Sequence, residues 1–332
     1  MSVVEVLRGD VVEARHAVHI AVADAHGRVV ARSGNGDGLT YFRSAAKPFQ
    51  ALPLVEEGVV SRFGISLQEL ALCCASHEGE PAHVAAARSI LSKVGVDEAL
   101  FQCGAHLPFG PDASQELLIL GGQAMPIHNN CSGKHAGMLA LAVGMGWDPV
   151  DYHLPDHPVQ DRMLREILRW TGLDEAEVVT GVDGCGVVCF AVPLFQIARS
   201  FARFSAAAAA DNEGPAEIVR AMTTHPFMVG GTGRTCTEVM EAAAGKAFVK
   251  LGAEGTYIGG IPASGLGFAI KVEDGGRRAV EVALVKVLDE LGVFTETAVT
   301  TISHHGNPIV YNTRGEAVGE IRPNFHLKFE SP

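Results

Sequence analysis

The stretch KAFVKLGAEGTYIGGIP, Lys246–Pro262, returns the chain to strand character after a long helical middle. With GLGFAIKVEDGG, Gly265–Gly276, it reads as paired strands, and Asp274-Gly275 supplies turn chemistry. RRAVEVALVKVLDELG, Arg277–Gly292, follows as a helix, and PIVYNTRGEAVGEI, Pro308–Ile321, as a last hairpin. The other end of the chain has the same texture. AVHIAVADAHGRVVARSG, Ala17–Gly34, alternates around a turn at Ala25-His26-Gly27 and reads as a hairpin.

Between these ends the periodicity is helical. A helix is expected from near Ser44 to Glu57, with Pro48 in its first turn and Phe49, Leu52 and Val55 on one face. Ser66 and Glu69 have capping-box spacing. Pro81 opens a helix that stops at Gly95. Ser132 is the expected N-cap of SGKHAGMLALAVGMG, and Val159, Met163, Ile167 and Trp170 form one stripe. SAAAAADNEGP reads as a helix end running into a linker, and RTCTEVMEAAAG as a short helix. Strands at both ends with helices between give an α/β (α+β) chain. It is one domain of two lobes, with an αβ lobe at about 1–60 and 246–332 and a helical lobe inserted at about 61–245.

Composition narrows the function. Of 332 residues, 47% are hydrophobic and 19% charged, which is enough for a sizeable core. The net charge of −12, with no basic run longer than Arg277-Arg278, argues against a nucleic-acid partner. No apolar run reaches the roughly 18 residues of a membrane span. The opening residues lack a basic stretch followed by an apolar one, so a cytoplasmic location is expected. Seven scattered cysteines point to free thiols or metal ligands rather than a disulfide framework.

Several short segments carry the side chains of chemistry. FRSAAKPFQ sets Ser44 three residues before Lys47, one helical turn apart. A lysine takes a serine's proton only when neutral, which requires its ordinary pKa of about 10.4 to fall by roughly two to three units. The plain alternative is one turn of an ordinary helix. CCASHEGEPAH holds Ser76, His77, Glu78 and His83 beside glycine and proline, as at a pocket mouth or a simple helix cap. HNNCSGKHAGM places Asn129, Cys131, Lys134 and His135 at a helix start, where free N–H groups favour a carboxylate. Gly133 and Gly137 there allow close approach, or pack one helix on another. GVDGCGVVCF brackets Asp183 and Cys185 with glycines, and the distance to Cys131 is not that of a C-x-x-C zinc site. KLGAEG puts Lys250 on a strand, where its amine can lie beside a serine–lysine pair or bind a substrate carboxylate; the plain alternative is a strand-end lysine followed by a turn. HPFMVGGTGR is a glycine loop leading to Arg234 and Cys236, and CGAHLP puts Cys103 and His106 in a loop.

An S-x-x-K turn, a polar turn and a K-x-G strand in this order resemble the serine β-lactamases, penicillin-binding proteins and serine glutaminases. The combination FRSAAKPFQ, CASHEGEPAHV, NNCSGKHAGML, DGCG, HPFMVGGTGR and KLGAEG is similar, over essentially the whole chain, to the Rhizobium etli-type, or class 3, L-asparaginases. The resemblance implies a β-lactamase-like fold, with an antiparallel sheet flanked by helices, usually as a homodimer. It implies hydrolysis of L-asparagine to L-aspartate and ammonia. It also implies two serine–lysine pairs, Ser44 with Lys47 and Ser76 with Lys250, and a zinc ion held by Cys131, Lys134 and Cys185.

On this reading Ser44 is the nucleophile and Lys47 its base, kept neutral by the neighbouring amines of Lys134 and Lys250. Ser76 is the competing nucleophile. Charge and position nominate Arg43 and His135 for the substrate α-carboxylate and Asp183 for its α-ammonium, with Asn129 and Cys236 as further contacts. Zinc is expected to support rather than to generate the nucleophile, since an S-x-x-K unit would otherwise be redundant. The rival readings are a glutaminase, a zinc hydrolase and a non-catalytic asparagine-binding protein.

Overall fold

The computed structural model describes residues 2–330, and the chain divides into two compact units. The first comprises 2–45, Val192–Ala209 and 238–330; the second comprises 46–191 and 210–237. The expected lobe boundaries near 60 and 245 therefore shift to 45 and 237, and one internal helix, Leu194–Ala209, returns to the first unit. Sequence texture placed the border where the periodicity changes. The packed boundary instead follows which core each segment joins.

The first unit is built on an antiparallel sheet. Its order runs Ile309–Tyr311, Ala317–Asn324, Val3–Arg8, Val11–Ala23, Leu266–Val272, Thr256–Ile261 and Phe248–Gly252. The long Val11–Ala23 strand serves two neighbours on one edge. Its first half pairs with Val3–Arg8, and its second half with Val29–Ser33, Ile20 opposite Ser33. Burial along it changes in step: the first half alternates, while Ile20 to Ala23 are buried on both faces. Each fully buried Val or Ile contributes about 1.5–3 kcal/mol relative to exposure.

Two helices of this unit, Leu194–Ala209 and Arg277–Glu290, pack on the sheet. Gly267 and Gly260 make the first of these contacts. A Cβ on Gly267 would lie 2.1 Å from the Ala202 nitrogen, and one on Gly260 would lie 1.9 Å from Ser205 Oγ.

The second unit is helical around Ser132–Met145, whose residues from Ser132 to Ala142 are all buried. A helix enclosed on every side has no solvent face to keep polar. Helices Lys47–Glu56, Leu67–Cys73 and Pro81–Val94 surround it. The Ser66–Glu69 capping box forms, and Gly95 ends the Pro81 helix in the left-handed region. The Val159, Met163, Ile167 and Trp170 stripe is buried, with Trp170 stacked 6.0 Å from Phe49.

Several sequence expectations change. Cys131 rather than Ser132 is the N-cap of the central helix. The helix expected from Ser44 starts as a 3-10 turn, Arg43–Ala46, and becomes α-helical only at Lys47–Glu56. The unit also holds an antiparallel hairpin, Val179–Val182 with Val188–Pro193, and a helix, Pro111–Ile119, that periodicity did not reveal. Among the described residues, no helix is long and apolar enough to cross a membrane.

Candidate active site

Lys47 opens the Lys47–Glu56 helix and is fully buried. Its Nζ donates to the Ala75 carbonyl, to Ser76 Oγ at 3.0 Å and to Cys131 Sγ at 3.1 Å. Three acceptors match the three N–H bonds of an ammonium, and loss of one proton leaves a lone pair that can accept from a hydroxyl. Ser76 is half-buried on the segment that leaves the Leu67–Cys73 helix. Its backbone N–H is taken by the Val229 carbonyl at 3.0 Å, and that of His77 by Asn130 at 3.1 Å.

The side chains around this segment fix one another. His77 Nδ1 accepts the Gly79 N–H at 3.0 Å, so its Nε2 carries the proton and donates to Ser132 Oγ, also at 3.0 Å. His77 stacks on His83, which stacks on Phe227. Burial pulls the His83 pKa down, against the Phe227 carbonyl and the Glu80 charge. The glycine loop locks onto the same stretch. Arg234 pairs with Glu78 at 2.6 Å, and Thr232 donates to Glu80 from both backbone and hydroxyl at 2.8 Å.

The two cysteines converge from separate elements. Cys131 precedes the central helix, and Asn129 Oδ1 accepts its N–H at 2.8 Å. Cys185 sits in the Val179–Val188 hairpin turn, where Asp183 N–H bonds the Val187 carbonyl and Gly186 takes φ +89°. The hydrogen bond from Cys185 is the first reason that the Cys131 pKa lies well below its ordinary value, with Lys47 and Lys134 outweighing burial. The same bond, with burial, pushes the Cys185 pKa up.

Lys134 Nζ donates to Cys185 Sγ at 2.8 Å. Burial opposes the Lys134 charge, but Cys185, Cys131 and Asp183 together raise its pKa. Two sulfurs and an amine within contact of one another form a soft donor set that fits zinc, once Lys134 gives up its proton.

His135 is fully buried, and its pKa lies well below the ordinary value because of burial, then Lys134 and Lys47. Tyr152 accepts the Gln102 N–H at 3.1 Å, and its hydroxyl is hydrogen-bonded to His135 Nδ1 at 2.6 Å. The other ring nitrogen, Nε2, is buried without a hydrogen-bond partner among the described residues.

In the first unit, Ser44 lies in the Arg43–Ala46 turn and is half-buried. Arg43 before it has φ +49°, a left-handed conformation that costs a non-glycine residue about 1–2 kcal/mol. Lys250 is fully buried on the Phe248–Gly252 strand, opposite Ile258, and Nζ donates to the Leu251 carbonyl at 2.9 Å. A Cβ on Gly252 would stand 2.8 Å from the Phe42 carbonyl. The glycine of K-x-G thus lets the lysine strand lie against the segment that carries Ser44.

The model of the family described as L-asparaginase II matches residues 4–323. The chain belongs to the L-asparaginase II family. Membership makes it an amidohydrolase. No curated protein matches it. Among solved structures, it is similar to one titled a crystal structure analysis of Mglu, at 12% identity and TM-score 0.38, covering 83% of this chain and 67% of that one. Mglu in its tris and glutamate form matches at 14% and 0.37, covering 83% and 59%. A putative beta-lactamase from Bacteroides dorei DSM 17855 matches at 15% and 0.39, covering 78% and 88%. This chain thus spans about three fifths to two thirds of the Mglu chains.

Within this L-asparaginase II chain the nominated residues divide by unit. Lys47, Ser76, Cys131, Lys134, His135 and Cys185 cluster in the second unit, and Arg43, Ser44 and Lys250 belong to the first. Asn129 spends both amide hydrogens on the Cys103 and Gly104 carbonyls, so it positions the Cys131 turn. Asp183 is half-buried in the hairpin turn, where its carboxylate accepts the Gly184 N–H at 2.8 Å. Cys236 is buried at the start of the Thr235–Ala243 helix. Tyr152 and its neighbour His153, whose charge acts on His135, escaped the sequence reading. Their only signal was a pair of polar rings in a proline-flanked connection.

Proposed function

We propose that the chain hydrolyses L-asparagine to L-aspartate and ammonia through a serine nucleophile activated by lysine. The hydrogen bond of 3.0 Å between buried Lys47 and Ser76 carries this reading. It ties Ser76 to Lys47, the lysine of the S-x-x-K turn. In the reaction, neutral Lys47 takes the Ser44 proton as Ser44 Oγ bonds to the side-chain amide carbon. Backbone N–H groups, including that of Ser44, hold the oxyanion. The C–N bond then breaks, and ammonia leaves with a proton relayed through Ser76 and Lys250. Water, deprotonated along the same relay, hydrolyses the ester and restores Ser44.

His135 supports the substrate assignment, because its buried Nε2 has no partner among the described residues and, when it carries the proton, is a neutral donor suited to an α-carboxylate. Arg43 supplies the charge for that carboxylate, and Asp183 receives the α-ammonium. Zinc on Cys131, Cys185 and Lys134 would add a fixed positive charge that shapes the site and orients substrate. A homodimer in the cytoplasm completes the reading.

A second reading makes Ser76 the nucleophile with Lys47 as its base, favoured by the same hydrogen bond. The test is ammonia release from asparagine and from glutamine by wild type, Ser44→Ala and Ser76→Ala, each with and without zinc. Ser44→Ala should lose about a thousandfold or more in kcat. Mass spectrometry should find the acyl adduct on the Ser44 peptide. An adduct on Ser76 supports the second reading, faster glutamine turnover makes the protein a glutaminase, and absence of ammonia release sinks both.

A further inference from the structure

We propose that Glu238, His304 and His305 form a divalent transition-metal site in the first unit, sharing no residue with the thiol set and independent of the amidohydrolase reading. Glu238 lies on the Thr235–Ala243 helix, and the two histidines lie side by side in the one-turn helix Ser303–Gly306. His304 Nε2 and His305 Nε2 lie 2.7 and 2.8 Å from the same Glu238 oxygen, Oε2. The three potential ligand atoms fall within 4.8 Å of one another. The imidazole centroids are 4.2 Å apart, so two adjacent side chains on one turn aim at one point.

The surroundings suit an ion better than a plain pair of hydrogen bonds. His305 is buried at 9% exposure, which fixes one ligand, while His304 at 58% and Glu238 at 29% leave an entry path and room for water ligands. The turn that carries the histidines is itself held: a Cβ on Gly306 would lie 2.8 Å from Val285 Cγ1, on the Arg277–Glu290 helix. Metal–nitrogen and metal–oxygen bonds are about 2.0–2.2 Å, so around a tetrahedral ion each nitrogen draws back from the Glu238 oxygen by about 0.5–0.9 Å, which side-chain rotation supplies. Each neutral imidazole moves its proton to Nδ1, which frees the Nε2 lone pair for the metal. Two imidazoles and a carboxylate suit zinc, nickel, copper or ferrous iron, with water completing the shell.

The full chain is titrated with zinc chloride by calorimetry and with cobalt by absorption. The wild type is compared with Cys131→Ser/Cys185→Ser, with His304→Ala/His305→Ala and with Glu238→Gln. The cysteine double variant should still bind one zinc per chain at about micromolar affinity. Its cobalt form should lack the intense near-ultraviolet band of sulfur ligation. The histidine double variant should bind one zinc fewer than wild type, and Glu238→Gln should weaken that ion about tenfold or more. If removing both histidines leaves the zinc stoichiometry of the intact chain unchanged, the proposal is overturned. The same follows if a folded cysteine double variant binds no zinc below about 100 μM.

Discussion

Arg43 shows what a single residue was asked to do. It holds φ +49° one position before Ser44, a conformation that glycine adopts freely and other residues adopt at a cost. Two substitutions separate backbone from charge. Arg43→Ala keeps the strain and loses the guanidinium, whereas Arg43→Gly relieves the strain. Chemical denaturation should find the glycine variant more stable than the alanine variant by about 1 kcal/mol. Both variants should raise KM for asparagine with the smaller change in kcat, if the guanidinium holds the α-carboxylate. The residue types themselves were legible: serine, lysine, cysteine and histidine stood out in glycine-rich company. Their partners were not. S-x-x-K spacing pointed from Lys47 to Ser44, yet the bonds of Lys47 reach Ala75, Ser76 and Cys131, between 28 and 84 positions away. Local spacing cannot report contacts that long-range packing creates.

At the scale of elements, the site depends on how closely helices approach. Gly133 lies at the start of the central helix, where an added Cβ would stand 2.3 Å from the Leu72 carbonyl. Alanine there gains about 1 kcal/mol in helix propensity but must push the Leu67–Cys73 helix away. That helix leads directly into Ala75 and Ser76. Gly133→Ala should therefore destabilise the fold by about 1–3 kcal/mol in denaturation and lower kcat through the displaced Ser76. A variant with full stability and activity would show that the contact gives way without consequence. Caps and stops were readable here, since Ser66, Glu69 and Gly95 act through neighbours within a few residues. The Val179–Val182 hairpin was not, because its partner strand Val188–Pro193 is buried and carries no alternating pattern.

Stability of the whole molecule should depend on pH in two stages. Burial lowers the His83 pKa from 6.5, so the unfolded chain takes up that proton more readily than the folded one. Stability from this group is complete above about pH 6.5 and is lost as pH falls towards the folded value, by at most about 1.4 kcal/mol per pH unit. Glu69 follows at lower pH. Burial opposes its charge, but Lys93, Ser89 and the Ser66 cap outweigh it and lower its pKa from 4.5. That contribution is present above about pH 4.5 and disappears below it. Thermal unfolding should show the first decline as pH falls below about 6.5, and His83→Gln should make it shallower, with His135 contributing the remainder. An unchanged slope in that variant would assign the early decline to other groups.

The sequence by itself determined the mixed α and β character, the hairpins at both ends, the main helices with their caps, and the set of reactive side chains. These follow from periodicity, turn chemistry and residue type, which act over a few positions. Only the tertiary structure decided which lysine meets which serine, that Cys131 and Cys185 meet, that His135 Nε2 has no partner among the described residues, and that the first unit reclaims Leu194–Ala209. Those outcomes depend on burial and on contacts between residues far apart in the chain, where desolvation and neighbouring charge set the chemistry and no local pattern records them.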